Sequence, residues 1–86
     1  MNAKDCNNKE WTVLIFADCD DYDAAECEAD ELGLLDTLYA GTLDEAVSQL
    51  KSRLQHRGVA IDDAESKDVG ARLPSGLEVS FLVDAP

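Results

Sequence analysis

Thr42-Leu43-Asp44-Glu45 opens the segment of this chain whose local structure is most tightly constrained. It is a capping box: the Thr42 hydroxyl can take the N3 amide while the Glu45 carboxylate reaches back over the helix start. Leu43, Ala46, Val47, Leu50 and Leu54 follow at spacings of three and four and form one apolar stripe. Lys51, Arg53, His56 and Arg57 crowd the last turns, where positive charge suits the helix dipole, and Gly58 supplies the stop. A helix with a single apolar stripe must lay it on another layer, so this segment alone demands a second element.

The best candidate for that layer is Trp11-Thr12-Val13-Leu14-Ile15-Phe16-Ala17. It is β-branched, aromatic and apolar in both alternating phases. That predicts a central strand covered on both faces, or covered on one face and engaged in an interface on the other. Residues 1–10 read as a flexible polar lead-in, with the domain proper over 11–86.

Between them lies Asp18 to Glu31, with acids at Asp18, Asp20, Asp21, Asp23, Glu26, Glu28, Asp30 and Glu31 and no basic residue. The stretch keeps helical order. Tyr22, Ala25, Ala29 and Leu32 share a face, while Asp23, Glu26 and Asp30 share the opposite one. A helix over about 22–32 is expected, capped by Asp20 or Asp21 and stopped at Gly33. Thr37, Leu38 and Tyr39 favour a strand, and Val59-Ala60-Ile61 a short one. Asp62 to Asp68 reads as a polar loop. Val69–Leu73 and Leu77–Val83 flank Pro74-Ser75-Gly76 and predict a β-hairpin. In its second strand Leu77, Val79, Phe81 and Val83 point one way, and Glu78 and Ser80 the other.

The expected fold is therefore α+β: two helices packed on a small mixed β-sheet, in the order β-α-β-α-β-β with room for one further short strand. If both helices share a face of the sheet, the second face of the Trp11 strand needs another cover. A symmetric homodimer is the ordinary solution.

At 86 residues the chain is one small domain with a small core, and a binding surface is a more natural functional element than an enclosed site. Hydrophobic residues make up 45%, enough to fold. Nineteen Asp and Glu against seven Lys and Arg give a net charge of -12. That disfavours direct nucleic-acid binding and adsorption to anionic membrane, and favours basic protein surfaces as partners. No apolar stretch follows Met1 to mark a secretory signal, and Cys6, Cys19 and Cys27 make an odd count, so reduced thiols and a cytoplasmic setting are expected.

Chemistry-bearing patterns are sparse. Asp18-Cys19-Asp20-Asp21-Tyr22-Asp23 has the opening of a calcium loop, but its sixth and twelfth positions are Asp23 and Ala29, where an EF-hand needs Gly and Glu. The three cysteines and His56 lack the spacing of a zinc site. No Gly-rich phosphate loop, H-E-x-x-H or G-x-S-x-G occurs, and no cofactor, metal or catalytic residue is assigned. Val13-Leu14-Ile15-Phe16 followed by Asp18, Asp20 and Asp21, with Val59-Ala60-Ile61-Asp62 after a helix, a strand and a helix, resembles the first half of response-regulator receiver domains. The resemblance covers residues 11–62. It implies Mg²⁺ at the first acids and phosphoryl acceptance at Asp62. The chain is too short for the family's remaining elements and has no equivalent of its later Thr/Ser and Lys positions. A generic β-α-β-α-β pattern accounts for the same residues.

The reading that follows is a non-enzymatic acidic module: an inhibitor or modulator that docks on a basic, nucleic-acid-binding type of protein surface by charge mimicry. The partner-binding residues would be Asp20, Asp21, Asp23, Glu26, Asp30 and Glu31. Two alternatives compete with it. One is a self-associating module around Trp11 and Phe81 whose acids only confer solubility. The other is a weak divalent-metal or phosphoryl site at Asp18, Asp20 and Asp62.

Overall fold

A computed structural model describes residues 8–86. The expectations for residues 1–7, including Cys6, lie outside the described residues. The elements are β1 (Lys9–Phe16), α1 (Tyr22–Glu31), β2 (Leu38–Ala40), α2 (Leu43–His56), β3 (Ala60–Glu65), β4 (Asp68–Arg72) and β5 (Glu78–Asp84). The five strands form one sheet in the order β2-β1-β5-β4-β3.

Every pairing in it is antiparallel, which corrects the expected mixed sheet. A helix between two strands suggests a parallel crossover to a neighbouring strand; α1 instead joins antiparallel neighbours, and α2 joins β2 to β3, which run the same way but lie at opposite edges of the sheet. The α1 connection returns the chain beside β1 in the opposite direction. The α2 connection carries it across to the far edge, where β3 pairs only with β4. The β3-β4-β5 meander then brings β5 back against β1, pairing Thr12 with Asp84, Leu14 with Leu82 and Phe16 with Ser80.

Both helices sit on the same face. Trp11, Val13 and Ile15 of β1, Leu38 and Ala40 of β2, Val69 and Ala71 of β4, and Val79, Phe81 and Val83 of β5 form one core with Ala25 and Ala29 of α1 and Ala46, Val47, Leu50 and Leu54 of α2. The Trp11 indole N–H is satisfied inside this layer by the Ala40 carbonyl at 2.9 Å. Among the described residues no helix lies over the outer face of the sheet. Leu14 and Phe16, expected to be covered, are 38% and 51% exposed, and Tyr39 is 57% exposed.

The α2 start forms as expected. Glu45 N–H donates to Thr42 Oγ1 at 3.2 Å, while Glu45 Oε2 accepts from the Gly41 amide rather than from Thr42. Each helix ends in a Schellman motif. In α1, Gly33 N–H donates to the Asp30 carbonyl and Leu34 N–H to the Ala29 carbonyl. In α2, Gly58 and Val59 do the same to Gln55 and Leu54. Gly33 and Gly58 hold φ of 72° and 76°, which only glycine adopts without strain.

Three local expectations change. β1 starts at Lys9, so Lys9 and Glu10 belong to the sheet rather than to a lead-in. Asp62 to Asp68 is not a loop: β3 and β4 meet in a two-residue turn at Ser66-Lys67, with Glu65 opposite Asp68. Ser66 takes φ of 50° there, a turn without the Gly or Asn that normally marks one. Asp21 occupies the α1 N-cap position, but its side chain makes no capping hydrogen bond.

Candidate functional site

The α1 face is built by what its other face must bury. Ala25 and Ala29 are fully buried against the sheet, and Leu32 is half-buried. That leaves Asp23, Glu26, Asp30 and Glu31 outside, and all four are exposed. Asp20 and Asp21, in the turn leading into the helix, are exposed as well. The six residues singled out from sequence thus lie on one element and the turn that opens it.

Asp23, Glu26 and Asp30 form a line along the helix. At about 1.5 Å rise per residue, its charges are spaced by roughly 4.5 and 6 Å. One DNA strand presents a phosphate about every 3.4 Å of axis, so the line is sparser than the polymer it would imitate. The three acids, with Cys27 and Leu35, border a shallow concavity. Glu26 and Leu35 also border a second groove, which runs along β1 and is lined by Val13, Leu14, Ile15, Phe16 and Tyr22.

Among the described residues none of these carboxylates has a basic partner. The single ion pair among the described residues is Arg72 with Glu78 at 3.0 Å, on β4 and β5. No Lys, Arg or His occurs from residue 10 to residue 50. The uncompensated field is felt locally. Tyr22 donates to Glu26 Oε2 at 3.3 Å, and the Glu26 charge, foremost, pushes the Tyr22 phenol above its ordinary value. Tyr22 was expected on the buried stripe; it is instead 37% exposed, at the mouth of the groove.

Glu28 behaves differently from its acidic neighbours. Its carboxylate accepts the Ser75 amide at 3.1 Å and the Ser75 hydroxyl, fastening α1 to the β4–β5 turn. It holds the fold and is not part of the exposed line.

The metal or phosphoryl alternative finds no assembled site. Asp62 is on β3, three strands from β1, or roughly 14 Å at about 4.8 Å per interstrand step. Its charge acts instead on Arg72, whose guanidinium is held above its ordinary value first by the Glu78 hydrogen bond and then by Asp62. Among the described residues no three His, Cys, Asp or Glu side chains converge as metal ligands. Cys19 and Cys27 are exposed thiols, and Cys27 Sγ lies 3.9 Å from Glu31.

Sequence reasoning missed the groove. Leu14 and Phe16 alternate with Val13 and Ile15, and alternation alone could not say which phase was bare. The basic end of α2, with Arg53, His56 and Arg57, makes a separate surface; there Arg53 donates to the Asp36 carbonyl at 2.7 Å. Among the described residues no helix is long and apolar enough to cross a membrane. No protein family, curated protein or solved structure matches the chain.

Proposed function

We propose that this chain is a small acidic protein-binding module. It docks on a basic protein surface, of the type that binds nucleic acid, by presenting carboxylates where that surface expects phosphates. The observation that carries the reading is the exposure of Asp20, Asp21, Asp23, Glu26, Asp30 and Glu31 on α1 and its leading turn, with no basic side chain paired to them among the described residues. Like charges at helical spacing disfavour the helix by a few tenths of a kcal/mol per pair, roughly. A face kept at that cost has a use, and long-range steering of a cationic partner is the one its field serves.

The test is capture from a lysate with the wild type and an Asp23→Lys/Glu26→Lys/Asp30→Lys variant, at low and high salt. The expected result is a basic, nucleic-acid-binding protein, held by the wild type, lost in the variant and weakened by salt. Equal capture by both would end the charge-mimicry reading.

A second reading is favoured by the bare outer sheet face with Leu14 and Phe16. Here the module self-associates through the sheet, and the acids keep it dispersed. A dimer that persists at high salt, with no specific partner captured, would support it.

A further inference from the structure

β2 is too short to cover its neighbour. It pairs with β1 only from Lys9 to Trp11, through Ala40, Tyr39 and Leu38. Beyond Trp11 the chain bends away at Asp36, whose carbonyl is taken by Arg53. The ladder on the other side of β1 fixes which backbone groups this leaves bare. Val83 N–H donates to the Lys67 carbonyl, so the odd residues of β5 turn their polar groups toward β4 and the even ones toward β1. Thr12, Leu14 and Phe16, opposite Asp84, Leu82 and Ser80, are therefore the β1 residues bonded to β5. Val13 and Ile15 turn their N–H and C=O to the opposite edge. No hydrogen bond reaches those groups there among the described residues, although the two residues are only 5% and 4% exposed.

Unpaired backbone groups on a strand edge are a template for another strand. This edge also forms the floor of the groove bordered by Leu14, Phe16, Tyr22, Leu35 and Glu26. We infer that the open edge of β1 at Val13 and Ile15 receives an extended segment of a partner protein, in line with β2, by β-strand addition. The segment's alternate side chains would be apolar, against Leu14 and Phe16 on the bare face, and Lys or Arg, toward Asp23, Glu26 and Asp30 on the helix face. Charge chooses this occupant over a second copy of the chain, since edge-to-edge pairing of two copies brings two acidic helices together. Strand addition draws affinity from main-chain bonds and specificity from the side-chain pockets beside them. The inference deepens the proposed function and rests on the same acidic face.

The experiment is an NMR titration of the full chain with an eight-residue peptide alternating Val and Lys. Three controls accompany it: the peptide N-methylated at every Val, the peptide N-methylated at every Lys, and an alternating Val and Thr peptide. The expected result is saturable binding. The Val13 and Ile15 amides should move downfield and exchange at least tenfold more slowly, while Leu14 and Phe16 change little. At least one N-methylated peptide should bind tenfold more weakly. If both N-methylated peptides bind as tightly as the parent, with shifts confined to α1, edge pairing is wrong and charge docking survives. If the Val and Thr peptide binds as tightly as the Val and Lys peptide, the acids contribute nothing, and the charge-based reading fails with the choice of occupant. If Val13 and Ile15 are already protected in a free protein of dimer size, a second copy fills the edge and the inference is overturned.

Discussion

Single side chains here divide into those that hold the fold and those that only project charge, and Glu26 and Glu28 show the division two residues apart. Glu28 reaches Ser75 with two hydrogen bonds, and among the described residues Glu26 bonds only Tyr22. Charged hydrogen bonds are worth about 1.5–3 kcal/mol, less at a partly wet site, so Glu28→Ala should cost roughly 1 kcal/mol of unfolding free energy by urea titration. Glu26→Gln should leave stability nearly unchanged but lower the phenol titration midpoint of Tyr22, read by absorbance in a Tyr39→Phe background. The sign follows from the raised phenol. The neutral form is favoured in the fold, so its contribution is complete below the ordinary tyrosine range and fades as pH rises through the raised value. A Tyr22 midpoint that did not move would mean that Glu26 is not the dominant charge on it.

Helices and hairpins differ in how plainly their residues announce them. α2 was legible from Thr42 to Gly58 because cap, stripe and stop all agree, and each matches the observed geometry. Thr42→Ala should therefore cost about 1 kcal/mol. Gly58→Ala should cost about 1–2 kcal/mol through backbone strain alone, since nothing lies within 4 Å of the added methyl. The exposed α1 acids were legible for a similar reason: two buried alanines fix which side of the helix stays wet. The β3–β4 hairpin was not legible. An exposed edge strand such as Ala60–Glu65 needs no apolar alternation, and its acids with a bulge between Ile61 and Asp63 are how an edge discourages pairing. Nor could strand direction be read, because an α1 return and an α2 crossover leave the same local pattern whether the partner strands run parallel or antiparallel.

At the scale of the molecule, the net charge of -12 sets the response to salt. Raising ionic strength from about 0.01 to 0.15 M shortens the screening length from roughly 30 to 8 Å, which relieves self-repulsion. The melting temperature should rise over that interval, the reverse of a fold stitched by surface ion pairs. The triple charge reversal on α1 carries the net charge from -12 to -6 and should melt no lower than the wild type. A large drop would mean the acids make folded-state contacts. The centre of the sheet has a consequence of another kind. β1, the first of the described strands in chain order, finds its main neighbour only in β5, where residues 12–16 meet 80–84. During synthesis on the ribosome, β1 with β2 and β3 with β4 can each form early, yet they stay two separate ribbons until Glu78–Asp84 has emerged to lie between them. Folding should then be a late, concerted event with slow kinetics for so short a chain, since its decisive contacts are the most distant in sequence. A chain stopped before Glu78 should keep both helices yet lack Val79, Phe81 and Val83, the core residues that join its two ribbons into one sheet.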